Sequence, residues 1–313
     1  MKKTMKAITI NQYGGPEELT CQDVPIPQPG IDEVLVKVHA AGVNPIDWKI
    51  REGYMKEHIK QTFPLTLGWD FSGVVEETGE EVTQFTRGDE VYGRPDTSRN
   101  GAYAEYMVVR SSEMSIRPKS VDHIHSAAIP LAALTAWQSI FDVADLSSGQ
   151  KILIHGAAGG VGHFAVQLAK WKGCYVIGTS SKFNQGFLHE LGADLTIDYQ
   201  NSRFEDIAHS CDVVLDTIGG ETQKRSWQVL RNGGILVSIV SPPSANEASM
   251  HGVRQAMTGV CPNSKQLAEI AKLTDSGNIR PLVDNVFPLS EARRAHEFSQ
   301  SGHTRGKLVL RIV

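Results

Sequence analysis

The sequence predicts an α/β protein in which a doubly wound parallel sheet follows a smaller, β-rich domain. Three observations predict it. From Lys151 onward, short apolar runs alternate with amphipathic stretches, the rhythm of βαβ units. The first of these runs, Ile152-Leu153-Ile154, enters a glycine-rich turn, which opens into a helix with Phe164, Val166, Leu168 and Ala169 as its buried face. Before residue 122 the runs are short and are cut at brief intervals by Gly79, Gly88 and Gly93, the pattern of a small barrel-like domain. The β-rich domain is assigned residues 1–122 and 280–313, and the parallel-sheet domain residues 123–279.

Taken in order, 5–10 and 33–40 read as strands, the second alternating partly between apolar and polar residues. Between them, Pro25-Ile-Pro-Gln-Pro-Gly30 is an extended linker poor in hydrogen bonds. Strands follow near 71–77, 90–92 and 103–110. Ser126 is placed to cap a helix running to about Asp142, with Pro130 interrupting its first turns. Strands at 151–155, 175–179, 194–197, 212–216 and 234–240 then alternate with helices at 163–172, 184–191 and 221–231. Leu267 to Leu273 reads as a further helix. The tail from Arg280 carries a polar helix near 290–300 and a last strand within 306–313, and returns to the first domain.

Composition excludes several classes. The formal net charge is −4, so there is no basic footprint for nucleic acid. No apolar run has the length of a bilayer span, and the stretch Met1-Lys-Lys-Thr-Met-Lys-Ala-Ile-Thr-Ile10 lacks the apolar core of a signal peptide. Cys21, Cys174, Cys211 and Cys261 form no CxxC pair, which fits a reducing compartment and predicts a cytoplasmic protein.

A strand, a glycine turn and a helix N-terminus together make a seat for a pyrophosphate. The glycines admit the ligand to the backbone, and the helix offers unpaired N–H groups and a positive dipole end. The candidate binding residues are Gly156, Ala157, Ala158, Gly159, Gly160, Val161 and Gly162. Ala157 stands at the first of three usual glycine positions, ahead of Gly159 and Gly162, and Gly156 is placed to take the tight turn instead. NAD sites usually carry an acid about 20 residues further on, for the ribose hydroxyls. Here Thr179-Ser180-Ser181-Lys182 stands there, and hydroxyls with a cation favour the 2′-phosphate, so the expected cofactor is NADPH. Tyr199 and Arg203 follow the next strand and are placed to reach the same phosphate. Asp216 and Thr217 either line the cofactor crevice or form a helix cap with turn glycines. Ile239 and Val240 are assigned to present backbone to the nicotinamide amide.

Seven motifs in order give the chain its resemblance: Pro25-x-Pro-x-Pro-Gly-x-Asp-Glu-Val-Leu-Val-Lys-Val, Ala41-Gly-Val-Asn-Pro-Ile-Asp-Trp-Lys-Ile-Arg-Glu-Gly53, Pro64-Leu-Thr-Leu-Gly-Trp-Asp-Phe-Ser-Gly73, Leu134-Thr-Ala-Trp137, Ala157-Ala-Gly-Gly-Val-Gly162, Leu191-Gly-Ala-Asp194 and Gly306-Lys-Leu-Val-Leu310. Together they resemble the medium-chain dehydrogenase/reductase superfamily, in its zinc-independent quinone oxidoreductase-like branch. The resemblance implies a Rossmann NADP-binding domain beside a GroES-like barrel domain.

In the alcohol dehydrogenases of that superfamily a Cys and a His from the first domain hold the catalytic zinc. Asn44 and Trp69 stand at those positions here, and the four-cysteine lobe is absent. His123 and His125 are too few for a metal site, and His155 and His163 beside the turn read as incidental, so no metal is expected. Without a Lewis acid an alcohol is poorly ionised, whereas hydride addition to a quinone or enone places charge on an oxygen that a donor can stabilise. The resemblance implies an NADPH-dependent oxidoreductase acting on a small-molecule quinone or α,β-unsaturated carbonyl. It also implies that Asn44 and Thr135 lie near the nicotinamide, that Asp47 orders the loop and that Lys307 is close to the cofactor, the other reading of Lys307 being a solvated surface charge. Some relatives carry a tyrosine two residues after that Asp, where this chain has Lys49. Tyr54 is the nearby substitute, and Lys49 is either an oxyanion partner or a solvated lysine. The sheet edge near 234–240 is the candidate surface for pairing with a second copy, so a homodimer is expected, with no nucleic-acid or membrane partner. The competing reading is an NADPH-binding module with little turnover.

Overall fold

The computed structural model describes residues 3–313, so Met1 and Lys2 of the N-terminal stretch lie outside the described residues. The chain opens with an antiparallel pair, β1 (Thr4–Ile10) and β2 (Thr20–Pro25). The sequence does not announce β2, because its residues are exposed or half-buried and present no apolar face. Next come β3 (Glu33–Val43), helix α1 (Pro45–Arg51), β4 (Leu65–Thr66), β5 (Phe71–Thr78), β6 (Glu90–Gly93), β7 (Tyr106–Arg110) and β8 (Met114–Ile116). Helix α2 (His123–Ala127) is capped by Asp122, whose carboxylate accepts from the His125 N–H, and not by Ser126, which is buried inside the helix. The helix expected through to Asp142 is divided: α3 (Pro130–Trp137) starts afresh at the proline and widens into a π-helical turn over Gln138–Val143.

The alternation predicted from Lys151 is present: β9 (Lys151–Ile154), α4 (Gly162–Trp171), β10 (Tyr175–Ser180), α5 (Gln185–Glu190), β11 (Leu195–Asp198), β12 (Cys211–Asp216), α6 (Gly220–Ser226), β13 (Leu230–Ser238), α7 (Ala245–Met250) and β14 (Arg254–Met257). The six strands form one parallel sheet in the order β11-β10-β9-β12-β13-β14. Its order reverses between β9 and β12, the switch point at which open α/β sheets take ligands, and the glycine turn leaves β9 there. Leu153, Ile177, Ile197, Val214 and Leu236 form the core. The edge expected near 234–240 is covered, because β14 pairs with β13 and is itself the edge strand.

The last part of the chain comprises α8 (Ser264–Asp275), β15 (Val283–Pro288), α9 (Ala292–Gln300) and β16 (Lys307–Arg311). β16 pairs with β3, with Leu308 opposite Val43, in a sheet of order β15-β16-β3-β5-β6-β8 with β7 also on β3. The chain divides into two units, one of Met1–Leu131, Cys261–Gly277 and Pro281–Val313, the other of Ala132–Val260 and Asn278–Arg280. The first unit therefore includes α8, which the sequence places with the parallel sheet. The reason is local: the Tyr92 hydroxyl donates to the Leu267 carbonyl at 2.6 Å, and Ser120 N–H donates to Asp275 at 2.8 Å.

Candidate active site

In the second unit the irregular glycine turn is explained by its packing. Gly156 takes the left-handed conformation at φ +58°, so it makes the tight turn that Ala157 does not. Ala157 is fully buried and its N–H donates to the Thr179 carbonyl at 3.0 Å. Its methyl group fits because Gly178 of β10 has no side chain: a Cβ there would lie 3.0 Å from the Ala157 Cβ. At Gly162 a Cβ would meet the Gly156 carbonyl oxygen and the Ala157 Cα, and at Gly159 it would lie 3.2 Å from that same oxygen. No side chain caps α4, whose N-cap is Val161, so Gly160, Val161 and Gly162 lead to a helix start without a side-chain acceptor. The Gly156 N–H donates to the Thr179 hydroxyl at 3.3 Å, and that hydroxyl contacts His155 Nδ1 at 3.2 Å. His155 Nε2 lies 2.9 Å from the Ser226 hydroxyl, and burial pushes the imidazole down to about 4. His155 is thus a neutral pin beneath the turn.

Ser180, Ser181 and Lys182 lie at the carboxyl end of β10, and Tyr199 follows β11 next to it, its N–H donating to the Ser180 carbonyl at 3.2 Å. Ser180 is buried and its hydroxyl is held by Gln185 Nε2 at 2.9 Å. Lys182 is exposed, and its ammonium makes no hydrogen bond or ion pair with another described residue. Arg203 differs from expectation, being paired with Glu205 at 2.8 Å, a carboxylate that Arg225 also holds at 3.1 Å. Asp216 is likewise committed. One carboxylate oxygen accepts from the N–H groups of Ile218 and Gly219 at 3.0 and 2.8 Å, the other from Gln223 and Ser238 at 2.9 Å each. Its side chain builds the turn, which is the capping alternative. Thr217 donates to the His155 carbonyl at 2.8 Å. The Ile239 N–H goes to the Asp216 carbonyl at 3.1 Å and that of Val240 to Ser238 Oγ at 3.3 Å. Thr135 is buried in α3.

In the first unit Asn44 is the N-cap of α1 and is 2% exposed. Its Nδ2 donates to Asp70 Oδ2 at 2.8 Å and its Oδ1 accepts from the Lys307 ammonium. Lysine only donates, so this fixes which way the amide faces. Lys307 is not a solvated surface charge. It is 3% exposed, and its ammonium also reaches Asp70 Oδ2 at 3.2 Å and the Val43 carbonyl at 3.4 Å. Its three N–H groups are all used on these partners, and so Lys307 holds the Asn44 amide. The other oxygen of Asp70 accepts from Leu131 N–H at 2.6 Å, and burial pushes this carboxyl up against the opposing charge of Lys307.

A second chain of contacts holds the loop. Asp47 Oδ2 accepts from the Asn44 N–H and from the Tyr103 hydroxyl, each at 2.8 Å, while burial pushes the Asp47 carboxyl up to about 7. Tyr103 meets His296 Nε2 of α9 at 3.3 Å, and His296 Nδ1 accepts from Arg51 at 2.9 Å. Burial pushes His296 down to about 3, and the fully buried Arg51 ends the chain on Glu52 at 2.6 Å. Sequence reasoning named Asn44, Asp47 and Lys307 but not Asp70, Tyr103, Arg51 or His296. Lys49 and Tyr54 stand apart from this network. Lys49 lies over the Trp48 ring at 5.6 Å, and Tyr54 is 66% exposed, edge-on to the same ring. Trp69 is a core residue whose indole N–H donates to the Arg99 carbonyl at 3.1 Å. Among the described residues no group of three or more His, Cys, Asp or Glu is placed to hold a metal ion.

A glycine cradle at the switch point of a parallel sheet, carried with a β-rich unit that fixes a buried amide, defines the two-unit class of dinucleotide-dependent oxidoreductases. Residues 30–119 match the alcohol dehydrogenase GroES-like domain and residues 191–310 the zinc-binding dehydrogenase family. The chain is 38% identical to the mitochondrial NAD(P)H oxidoreductase RTN4IP1 of Mus musculus, over 99% of this chain and 89% of that protein. It is 33% identical to the chloroplastic NADPH-dependent alkenal/one oxidoreductase of Arabidopsis thaliana, over 98% and 80% respectively. The solved quinone oxidoreductase of Coxiella burnetii superposes with a TM-score of 0.91 at 36% identity, over 99% of this chain and 100% of that one. The chain belongs to the medium-chain dehydrogenase/reductase superfamily, in its quinone oxidoreductase-like branch.

Proposed function

We propose that this oxidoreductase passes hydride from NADPH to a quinone or α,β-unsaturated carbonyl without help from a metal ion. The observation that carries the reading is Asn44, an amide locked by Lys307 and Asp70 where a zinc enzyme of the superfamily has its cysteine. Its Oδ1 and the indole of Trp69 are both committed to other bonds, and neither group is a usual zinc ligand.

The cradle fits the cofactor. The turn at 156–162 admits a pyrophosphate where side chains would fill the space, and Ser180, Ser181 and Lys182, in a stretch after β10 without an acid, suit a 2′-phosphate together with Tyr199. Bound there, the reduced nicotinamide supplies the hydride, and the protein supplies orientation and charge. Thr135, buried in α3, would help to hold the nicotinamide. One Asn44 amide hydrogen is spent on Asp70, and the second donates to the acceptor oxygen as it gains charge. Lys307, bonded to the amide oxygen, polarises that donor. The exposed Tyr54 hydroxyl and the Lys49 ammonium are assigned to pass a proton from solvent.

No helix among the described residues is long and apolar enough to cross a membrane. Four free cysteines support a cytoplasmic setting, and the exposed edge strand β14 supports a homodimer. A screen of NADPH oxidation against quinones and enones of varied size tests the function. Turnover on several of them is expected, whereas tight NADPH binding with no turnover across the panel would favour the binding-module reading.

A further inference from the structure

The first unit buries a guanidinium to which no other described residue gives a hydrogen bond or an ion pair. Arg94 is 7% exposed, yet its side chain makes no hydrogen bond and no ion pair. Its Nε is sealed from solvent without a partner. Three carboxylates act on it through their charge, and none accepts a hydrogen bond from it. Asp70 is held by Lys307 and Asn44, Asp96 accepts from the Ser98 N–H and hydroxyl, and Glu113 turns to Arg110. Cys261 is the remaining group whose charge acts on it.

Strand register gives the position. Phe71 pairs with Gly93 in the antiparallel β5–β6 ladder, so the next step sets Arg94 opposite Asp70. Arg94 N–H donates to the Glu113 carbonyl at 3.1 Å, which anchors its backbone at that point. The free guanidinium therefore stands at the same sheet end as the carboxylate that fixes Asn44. A buried guanidinium without a hydrogen-bond partner is costly, and ordinary folding selects against it. A transient oxyanion would balance it only briefly. A carboxylate on the substrate balances it throughout binding, and the planar fork of arginine matches a carboxylate in geometry.

We infer that Arg94 is a specificity-determining residue that receives a carboxylate on the acceptor, so that the preferred substrates are enones or quinones bearing an anionic group. This inference rests on the reading that the acceptor is reduced beside Asn44.

The test compares acetylacrylate, an anionic enone, with its neutral methyl ester, in the wild type and in Arg94→Gln. The ratio of kcat/KM for acid over ester, divided between the two proteins, cancels the intrinsic reactivity of each compound. Arg94→Gln is expected to lower that ratio about 10- to 100-fold, and Arg94→Lys, which keeps the charge but loses the fork, to lower it less. An unchanged ratio, with both compounds turned over, overturns the inference and leaves the reductase reading intact. A wild type that reduces neither compound nor any other quinone or enone contradicts the reductase reading itself. Should Arg94→Gln not fold, inhibition of the wild-type ester reaction decides. Competitive inhibition by levulinate and none by methyl levulinate supports the carboxylate site, and equal inhibition by both overturns it.

Discussion

Asn44 is fixed from both ends of its amide, and the fixing groups come from Asp70, just before β5, and from Lys307 at the start of β16. Lys307→Met would leave Asp70 buried with its cation gone. The expected cost is about 3–5 kcal/mol in urea unfolding, and adding Asp70→Asn should recover most of it. A loss that persists in the double variant would mean that Lys307 acts through packing alone. At the other site Lys182 is an exposed cation whose ammonium has no partner among the described residues. Lys182→Ala should raise KM for NADPH by about 10-fold or more and leave KM for NADH within about 2-fold, in steady-state kinetics. Equal increases would mean that Lys182 does not read the phosphate. At this scale the sequence is informative about residue type and silent about partners. Asn44 and Lys307 stand out in motifs, but that the lysine is buried depends on a contact across 263 positions. Asp216 stands out equally well, yet its four hydrogen bonds are internal, and Gln223 and Ser238 carry no local sign of taking two of them.

Among elements, the glycine turn depends on the neighbouring strand. Ala157 replaces a glycine because Gly156 makes the turn and Gly178 leaves room. Gly178→Ala should destabilise the protein by about 1–3 kcal/mol and weaken NADPH binding, because the added methyl meets both Ala157 and Leu188. Ala157→Gly in the same chain should restore much of the loss, as read by thermal unfolding and NADPH titration. The alternation of strand and helix is legible because buried strands and one-sided helices leave a period in the sequence. β2 and β14 are not legible: both lie at sheet edges, and their residues are mostly exposed or half-buried. The cap at Asp122 escapes because Ser126 has equally good chemistry, and only the folded chain shows Ser126 buried in the helix.

For the molecule as a whole, the buried chain from Asp47 to Arg51 ties α1 to α9 and carries opposing pH dependences. Asp47 is raised from its ordinary 3.8 to about 7, so the folded state binds its proton more tightly and stability from this group falls as pH rises between those values. His296 is lowered from 6.5 to about 3, so the unfolded state binds its proton more tightly and stability rises over that interval. The two oppose each other from about pH 4 to 6.5. Asp47→Asn should therefore steepen the rise of stability with pH across this window, measured by urea unfolding at several pH values. An unchanged slope would contradict a raised Asp47.

The claim on which the rest depends is metal-free reduction with NADPH. It is tested most directly by following NADPH consumption with a simple quinone, before and after treatment with a strong zinc chelator. The account predicts turnover at an unchanged rate after chelation. Loss of turnover on chelation, restored by added zinc, would contradict it.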